Sequence, residues 1–279
     1  MKDNIIADSY KKGDMIELDI IDMSTTGEGI GKTGAFTWFV KDSVVGDRIS
    51  AFVMKSKKNY GYARLNKVLR ASKDRIEPKC SVARACGGCS LQNMSYERQL
   101  ELKDNMIINN LIRIGKFSKD FFVNDSDAYD IPGVCIHYPI IGMEEPWRYR
   151  NKSIYPVAVK KDSAVYGFYA ARTHSVIEPD DCLIGIEENK PIMEAVMRFI
   201  KKYGIAVYDE VHHRGIVRNV LIRKGFTTGE LMVCVVINAD KLPHTDKLVD
   251  ILLKAADIKS ISYNVNTAKG NVILGEKEV

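Results

Sequence analysis

The sequence lacks the long apolar runs of a membrane-spanning chain. Its longest apolar run is Leu231–Ile237, whereas a helix needs roughly 18–20 apolar residues to cross a bilayer. The N-terminal residues contain no apolar segment followed by a cleavage site, so no secretory leader is expected. We therefore expect a cytoplasmic protein that makes no contact with a membrane.

The sequence also lacks the composition of a disordered or repetitive protein. Hydrophobic residues make up 46% of the chain and charged residues 28%, which is close to the average for soluble globular domains. A length of 279 residues predicts about two domains, at roughly 100–200 residues per domain. No internal repeat is apparent. We expect a folded, monomeric protein with two domains.

Acidic residues are scarce in one stretch of the chain. Nine basic residues but only one acidic residue, Asp74, lie between Arg48 and Arg75, and the rest of the chain is net negative. Cations suit RNA phosphates and aromatic rings suit unpaired bases, so this stretch predicts RNA binding. The alternative is a solvated lysine surface without a ligand. The candidate RNA-binding residues here are Lys55, Lys57, Lys58, Tyr60 and Arg64.

Two further basic clusters occur later in the chain, each beside a run with the alternation of a β-strand. Residues two apart in a strand lie on the same face of the sheet, so such a row could follow RNA phosphates. The alternative is scattered surface charge. The candidates in these clusters are Arg148, Arg150, Lys152, Arg214 and Arg218.

Three of the six cysteines, Cys80, Cys86 and Cys89, form the pattern C-x5-C-x2-C. In a cytosolic chain this crowding favours metal or cluster ligation over disulfides. Cys182 lies in a polar turn and is the best candidate for a fourth ligand. Four thiolates suit either zinc or an iron–sulfur cluster, and the spacing alone does not choose between them.

Short candidate strands separated by turns predict a small antiparallel, OB-like β-barrel over residues 1–70. These strands cover 15–23, 35–40, 48–55 and 62–69. The glycine-rich segment 29–34 satisfies G-x-G-x-x-G, but no helix pattern follows it. We therefore expect a loop between strands at this segment.

Residues 71–279 are predicted to hold the cysteine loop and an α+β domain with a mainly antiparallel sheet. Apolar spacing predicts helices over 94–112, 191–203 and 245–256. The last part of the chain has the order hairpin, helix, hairpin, with a final strand expected at the segment NVILG.

The segment CSVARACGGCSLQNMSYERQLELK (80–103) resembles the iron–sulfur motif of the RNA uracil-C5 methyltransferases, which make 5-methyluridine in 23S rRNA or tRNA. The 1–70 barrel is similar to the TRAM domain of that family, and WRYRNKSIYPV and RGIVRNVLIR resemble blocks of its central domain. The resemblance implies an RNA substrate, 23S rRNA more than tRNA. It also implies a [4Fe–4S] cluster with the ligands Cys80, Cys86, Cys89 and Cys182.

Members of that family continue into a Rossmann-like domain, which holds the S-adenosylmethionine loop, a nucleophilic cysteine and a general base. We find no counterpart of these in the sequence. We therefore expect the Rossmann-like methyltransferase domain to be absent, S-adenosylmethionine to bind only a longer enzyme, and this chain alone to be inactive. The main alternative is a non-catalytic RNA-binding iron–sulfur protein, and a third is a zinc-stabilised RNA-binding module.

Overall fold

A computed structural model describes residues 10–124 and 132–279 of the protein. Residues 1–9, which belong to the predicted 1–70 domain, lie outside the described residues. The chain divides into two units, the first comprising Met1–Pro78 and Cys89–Glu144 and the second Lys79–Gly88 and Glu145–Val279. The predicted domain boundary after residue 70 stays a prediction. No helix in the described residues is long and apolar enough to cross a membrane.

The predicted barrel is present in the first unit as a closed ring of strands with the spatial order β1-β2-β3-β5-β4. All neighbouring pairs are antiparallel except β3 and β5, which are parallel. A closed ring with an odd number of strands cannot alternate direction throughout, so the expectation of a purely antiparallel barrel is wrong at this pair. The strands are β1 (Met15–Met23), β2 (Gly29–Thr33), β3 (Phe36–Lys41), β4 (Arg48–Ser56) and β5 (Tyr60–Arg70).

The prediction of a loop at 29–34 is wrong, because strand β2 occupies most of this segment. Gly29 faces the barrel interior, where an added Cβ would lie 2.1 Å from the Ser43 hydroxyl oxygen. At Gly31 an added Cβ would lie 3.0 Å from the backbone oxygen of Asp19. The glycines therefore serve close packing within a strand, which is one of the recognised uses of glycine in sheets.

The side chains of β3 alternate strictly between the interior of the barrel and its outer surface. In β3, Phe36, Trp38 and Val40 are buried, while Thr37, Phe39 and Lys41 between them are only partly covered. Trp38 is fully buried and its indole N–H donates to the Thr33 hydroxyl at 2.9 Å. The alternate residues of β3 therefore belong to two different surfaces, one of them the core.

Asp47, which has no exposed surface, joins the barrel to the segment after β5. Its carboxylate accepts hydrogen bonds from the backbone N–H of Val44 at 2.7 Å and of Ser72 at 2.9 Å. The Arg75 guanidinium completes the set, with Nη2 2.6 Å from Asp47 Oδ2. A buried carboxylate is tolerated only when it is paired and hydrogen-bonded in this way.

Beyond the barrel, the first unit contains α1 (Tyr96–Arg113), close to the predicted 94–112. The Ser95 side chain caps this helix by accepting a hydrogen bond from the backbone N–H of Arg98. Two short strands, β6 (Phe122–Asn124) and β7 (Cys135–His137), pair in parallel.

The second unit is built on a six-stranded sheet with the order β15-β14-β13-β12-β8-β9. Its largest apolar cluster includes Ile192, Val196 and Phe199 of α2 together with alternate residues of the central strands. In chain order the elements are β8 (Lys152–Lys160), β9 (Ser163–Tyr166), β10 (Phe168–Tyr169), β11 (Val176–Ile177), α2 (Asn189–Tyr203), β12 (Val217–Lys224), β13 (Leu231–Ile237), α3 (Thr245–Leu253), β14 (Ser260–Val265) and β15 (Lys277–Glu278).

This sheet is mainly antiparallel, as predicted, but two details differ. Strands β13 and β14 are parallel, because α3 carries the chain back to the end of the sheet where β13 began. The segment NVILG is not a strand, and β15, which follows it, is the strand that pairs with β14. The expected order of hairpin, helix, hairpin is therefore present, with its final strand at Lys277–Glu278 instead of in NVILG.

Candidate RNA-binding face and cysteine site

Three aromatic residues cluster on the outside of strands β3 and β5. The ring centroids of Phe39 and Tyr62 are 5.6 Å apart, and Tyr60 lies 6.0 Å from Phe39 and 5.9 Å from Tyr62. The parallel register places Phe39 opposite Tyr62, and the period of two directs all three residues to the same side of the strands. Each ring is half-buried, so part of its surface is open for stacking.

Exposed cations surround this aromatic cluster. Lys55 is opposite Tyr62 in the register of β4 and β5, and the Lys57 ammonium lies 5.8 Å from the centroid of the Tyr60 ring. Among the described residues, the ion pairs of the barrel use Arg48, Arg70 and Arg75 and none of the cations in this set. We call the whole set the barrel face: Phe39, Lys55, Lys57, Lys58, Tyr60, Tyr62 and Arg64.

Arg148, predicted from the sequence to contact RNA, is engaged within the second unit. Its Nη1 donates to the backbone oxygens of Cys182 and Gly185, at 3.2 Å each. Its Nη2 donates to Asp181 Oδ2 at 2.6 Å. The side-chain hydrogen bond to Asp181 raises the pKa of Arg148 above its ordinary value. These contacts give no support to a role in RNA binding, which stays a prediction.

Arg218 is 8% exposed. Its Nη1 donates to the backbone oxygens of Asn266 at 2.7 Å and Ala268 at 2.9 Å, and its guanidinium carbon lies 4.5 Å from the centroid of the Tyr208 ring. A phosphate contact by this buried side chain has no structural support either. Of the remaining candidates, Lys152 and Arg214 are exposed and Arg150 is half-buried.

Two cysteine sulfurs of the predicted cluster site accept N–H hydrogen bonds. The Cys86 sulfur accepts one from the backbone N–H of Gly88 at 3.3 Å, and the Cys89 sulfur accepts one from the Gln92 amide at 3.3 Å. Hydrogen bonds to sulfur are among the features that tune iron–sulfur clusters. No disulfide joins any of the six cysteines, all of which lie in described parts of the chain.

The donor chemistry of Cys80, Cys86, Cys89 and Cys182 fits an iron–sulfur cluster, because thiolates are its usual ligands. Cys89 belongs to the first unit and the other three to the second. Within residues 10–124 and 132–279, however, no three His, Cys, Asp or Glu side chains are arranged to hold a metal ion. A metal site is therefore not shown, and ligation by these four cysteines stays a prediction.

Sequence reasoning missed Phe39 as a member of the barrel face. Phe39 precedes the basic stretch in the sequence and joins it only because β5 pairs with β3 rather than with β4 alone. The alternation in FTWFVK was the one signal that Phe39 points away from the core, and it could not reveal the neighbouring strand.

No protein-family model matches this chain. The chain is 40% identical to an uncharacterized RNA methyltransferase of Halalkalibacterium halodurans, over 95% of this chain and 55% of that protein. It is 39% identical to an uncharacterized RNA methyltransferase of Clostridium acetobutylicum, over 96% of this chain and 56% of that protein. This chain is similar to bacterial proteins named RNA methyltransferases. It spans about half the length of these relatives.

Among solved structures, the chain is similar to the Pyrococcus abyssi tRNA (uracil-54, C5)-methyltransferase in complex with S-adenosyl-L-homocysteine. The TM-score is 0.63, the sequence identity is 23%, and the match covers 94% of this chain and 55% of that one. At this level of identity the likeness concerns the fold.

The expectation that the Rossmann-like methyltransferase domain is absent is wrong as a statement of fold class. Nearly all of this chain matches methyltransferases that are longer than it is. The residue at which this sequence stops is therefore no argument that such a domain is lacking. The expectation that the chain is inactive rested on the same reasoning, and the comparisons give it no support.

Proposed function

We propose that this chain is the RNA-binding part of an S-adenosylmethionine-dependent RNA uracil-C5 methyltransferase. The names of its bacterial relatives support an RNA methyltransferase. The resemblance of segment 80–103 to the iron–sulfur motif of the uracil-C5 enzymes supports the choice of base and position.

The barrel face is the observation that carries the RNA-binding part of this proposal. Sequence-specific RNA recognition uses unstacked bases held against aromatic rings, with cations on the backbone. Phe39, Tyr60 and Tyr62 offer the rings within 6.0 Å of one another, and Lys55 and Lys57 lie beside them. A surface with only lysines would bind phosphates but would have no place for a base.

We further propose that Cys80, Cys86, Cys89 and Cys182 hold a [4Fe–4S] cluster. The C-x5-C-x2-C spacing supports this, as do the N–H hydrogen bonds to the sulfurs of Cys86 and Cys89. Iron and sulfide analysis of protein purified without oxygen tests it. We expect about four irons and four sulfides per chain, as a cubane requires, and stoichiometric zinc with no iron would favour the zinc-stabilised alternative.

The proposed substrate is a uridine of 23S rRNA rather than of tRNA. Disrupting the gene in its own host and measuring 5-methyluridine by mass spectrometry in purified 23S rRNA and tRNA tests both parts of the proposal. We expect the modification to fall in 23S rRNA and to return when the gene is restored. A loss confined to tRNA would contradict the substrate, and unchanged 5-methyluridine in both RNAs would contradict the methyltransferase.

Retained RNA binding together with unchanged 5-methyluridine would favour the other candidate, a non-catalytic RNA-binding iron–sulfur protein. That candidate needs only the barrel face and the cysteines, so the two functions differ in methyl transfer alone. The gene-disruption measurement separates them.

A further inference from the structure

The first unit contains a second basic site, an open cleft of about 380 Å³ beyond the end of β5. Its lining includes the cations Arg70, Lys73 and Arg98 and one carboxylate, that of Asp74. The barrel face lies at the start of the same strand, where Tyr60 is the first residue. The basic stretch therefore reaches two separate places, and the barrel face accounts for only one of them.

The protein neutralises Arg70 and Lys73 only weakly. The Arg70 side chain is 73% exposed, and its Nη2 lies 3.5 Å from Asp19 Oδ1. An exposed ion pair of this kind contributes little to stability. Lys73 is exposed, and within residues 10–124 and 132–279 no ion pair involves it. Both side chains can therefore turn to an anion in the cleft at little cost.

Arg98, in the first turn of α1, has donors that its neighbours do not satisfy. Its Nη1 lies 2.5 Å from Glu101 Oε2. Its Nε is 3.6 Å from Asp74 Oδ2, which is too far for a hydrogen bond. This Nε is buried and has no hydrogen-bond partner in the described part of the chain. Since a buried donor without an acceptor costs free energy, a further acceptor beside this side chain would stabilise the site.

The turn between Ser72 and Asp74, which lines the same cleft, is fixed by hydrogen bonds. The Ser72 N–H donates to Asp47 Oδ1 at 2.9 Å, and the Asp74 N–H donates to the Ser72 hydroxyl oxygen at 3.2 Å. The Asp74 backbone oxygen accepts from the Ser95 N–H at 2.9 Å. The Ser72 O–H group itself donates to none of the described residues. The cleft is therefore formed before any ligand arrives, with one hydroxyl donor to spare.

A row of cations joins the cleft to the barrel face along the outside of β5. Arg64, Lys67 and Arg70 are all exposed, although a spacing of three does not fit the period of two of a regular strand. Two shifts of register in the pairing with β4 each add one residue to β5, as a β-bulge does. Leu65 and Val68 still pack against the core, so the bulges keep the three cations on the outer surface.

We propose that this cleft binds a phosphate group of the same RNA strand whose bases stack on the barrel face. The inference rests on the proposed RNA-binding function and extends its site along β5. From Tyr62 to Arg70 the strand is at most about 26 Å long. A stacked nucleic-acid strand has one phosphate per about 3.4 Å, so the path holds about eight stacked nucleotides. OB folds bind about 4–16 nucleotides, which agrees with this length.

The test compares the salt dependence of binding for RNAs of two lengths. When stacked, an oligouridine of about four nucleotides covers about half of the path, and one of about twelve covers all of it. The cleft variant combines Arg70→Gln with Lys73→Gln. The matched control combines Arg113→Gln with Lys103→Gln, an exposed arginine and an exposed lysine of α1 in the same unit.

For the longer RNA, we expect the slope of log K against log salt to fall by about 0.7 in the cleft variant, because one phosphate is no longer neutralised. The shorter RNA should give the parent slope in the cleft variant. The control should give the parent slope with both RNAs. Melting temperatures should stay near that of the parent chain, since the changed side chains are exposed and the pair of Asp47 and Arg75 is intact.

Free phosphate is another source of the same ligand chemistry, and a separate measurement distinguishes it from RNA. The melting temperatures of the parent chain and of the cleft variant are measured with and without inorganic phosphate at constant ionic strength. We expect both proteins to respond equally, because a single phosphate lacks the stacked bases that hold the strand in place. Stabilisation of the parent alone, with a parent-like slope for the longer RNA in the cleft variant, would contradict RNA as the ligand.

A parent-like slope of the cleft variant with the longer RNA would overturn the cleft as part of the RNA path. An equal fall with both RNAs, or an equal fall in the control, would overturn it as well. None of these results would affect the barrel face, which is tested by changes at Lys55, Lys57 and Lys58. A parent chain that binds neither RNA would instead overturn the RNA-binding function, and this inference with it.

Discussion

The basic residues of the barrel and those of the second unit have the same appearance in the sequence, yet they are used differently. Lys55, Lys57 and Lys58 are exposed, and Lys55 and Lys57 lie beside aromatic rings. Arg148 and Arg218 instead donate to backbone oxygens of their own unit. A positive charge alone therefore does not identify an RNA contact. The hydrogen-bond acceptors around the side chain show whether it is already engaged within the protein.

The difference follows from side-chain chemistry as well as position. Arginine presents five donors in a rigid plane and suits irregular segments with unpaired carbonyls, while a lysine ammonium is strongly hydrated and stays in water. Arg218 donates hydrogen bonds to two such carbonyls, those of Asn266 and Ala268, in the segment after β14. Of the lysines of the barrel face, Lys55 lies in β4, where it pairs with Tyr62 of β5. Lys57 and Lys58 lie in the turn that follows, where the Lys57 N–H donates to the Tyr60 oxygen.

Arg75 shows that the basic stretch also contains a structural cation, and removal of its partner Asp47 should give the largest effect on stability. In Asp47→Ala the Arg75 guanidinium loses its partner in a buried site. Breaking a buried ion pair typically costs about 3–5 kcal/mol, which we expect as the loss in the free energy of unfolding, measured by urea denaturation. A loss below about 1 kcal/mol, the value for exposed pairs, would show that this pair is not structural.

Arg218→Ala should lower the free energy of unfolding by about 1.5–3 kcal/mol, the usual range for a hydrogen bond to a charged group. The matched control is Arg214→Ala, an exposed arginine near the start of the same strand, for which a change within about 0.5 kcal/mol is expected. Denaturation of both variants checks this. Equal stability of the two, with weaker RNA binding by Arg218→Ala, would return Arg218 to the RNA-binding residues.

Tyr60→Ala should weaken RNA binding by about 1–3 kcal/mol, the range for removing one stacked base. The salt dependence of binding should not change, because no cation is removed. Tyr60→Phe keeps the ring and should bind as the parent chain does. Fluorescence titration with single-stranded RNA measures the affinity of the parent chain and of both variants. Equal affinity of Tyr60→Ala and the parent would remove Tyr60 from the barrel face.

The sequence predicted individual elements better than their neighbours. Strand β1 and helix α1 appear within two residues of the expected bounds, because alternation and helical spacing are local signals. The pairing of β3 with β5 and the parallel crossover through α3 depend on closure of the barrel and on the return path of the chain. Local patterns do not contain that information.

The same limit applies to the candidate sites. The basic stretch and the cysteine spacing are visible in the sequence, and they pointed to Lys55, Tyr60 and Cys86 directly. The contacts of Arg148 join positions 33 to 37 residues apart, so no local pattern could separate it from a surface cation.

The salt dependence of RNA binding tests the central claim, that the barrel face binds RNA, most directly. Lys55, Lys57 and Lys58 are changed together to Ala, and the matched control changes the exposed Lys201, Lys202 and Lys254 of the second unit. For single-stranded RNA, each phosphate that the protein no longer neutralises lowers the slope of log K against log salt by about 0.7. We expect the slope to fall by about two for the barrel variant and to stay at the parent value for the control. An unchanged slope in the barrel variant, or an equal fall in both, would contradict the account.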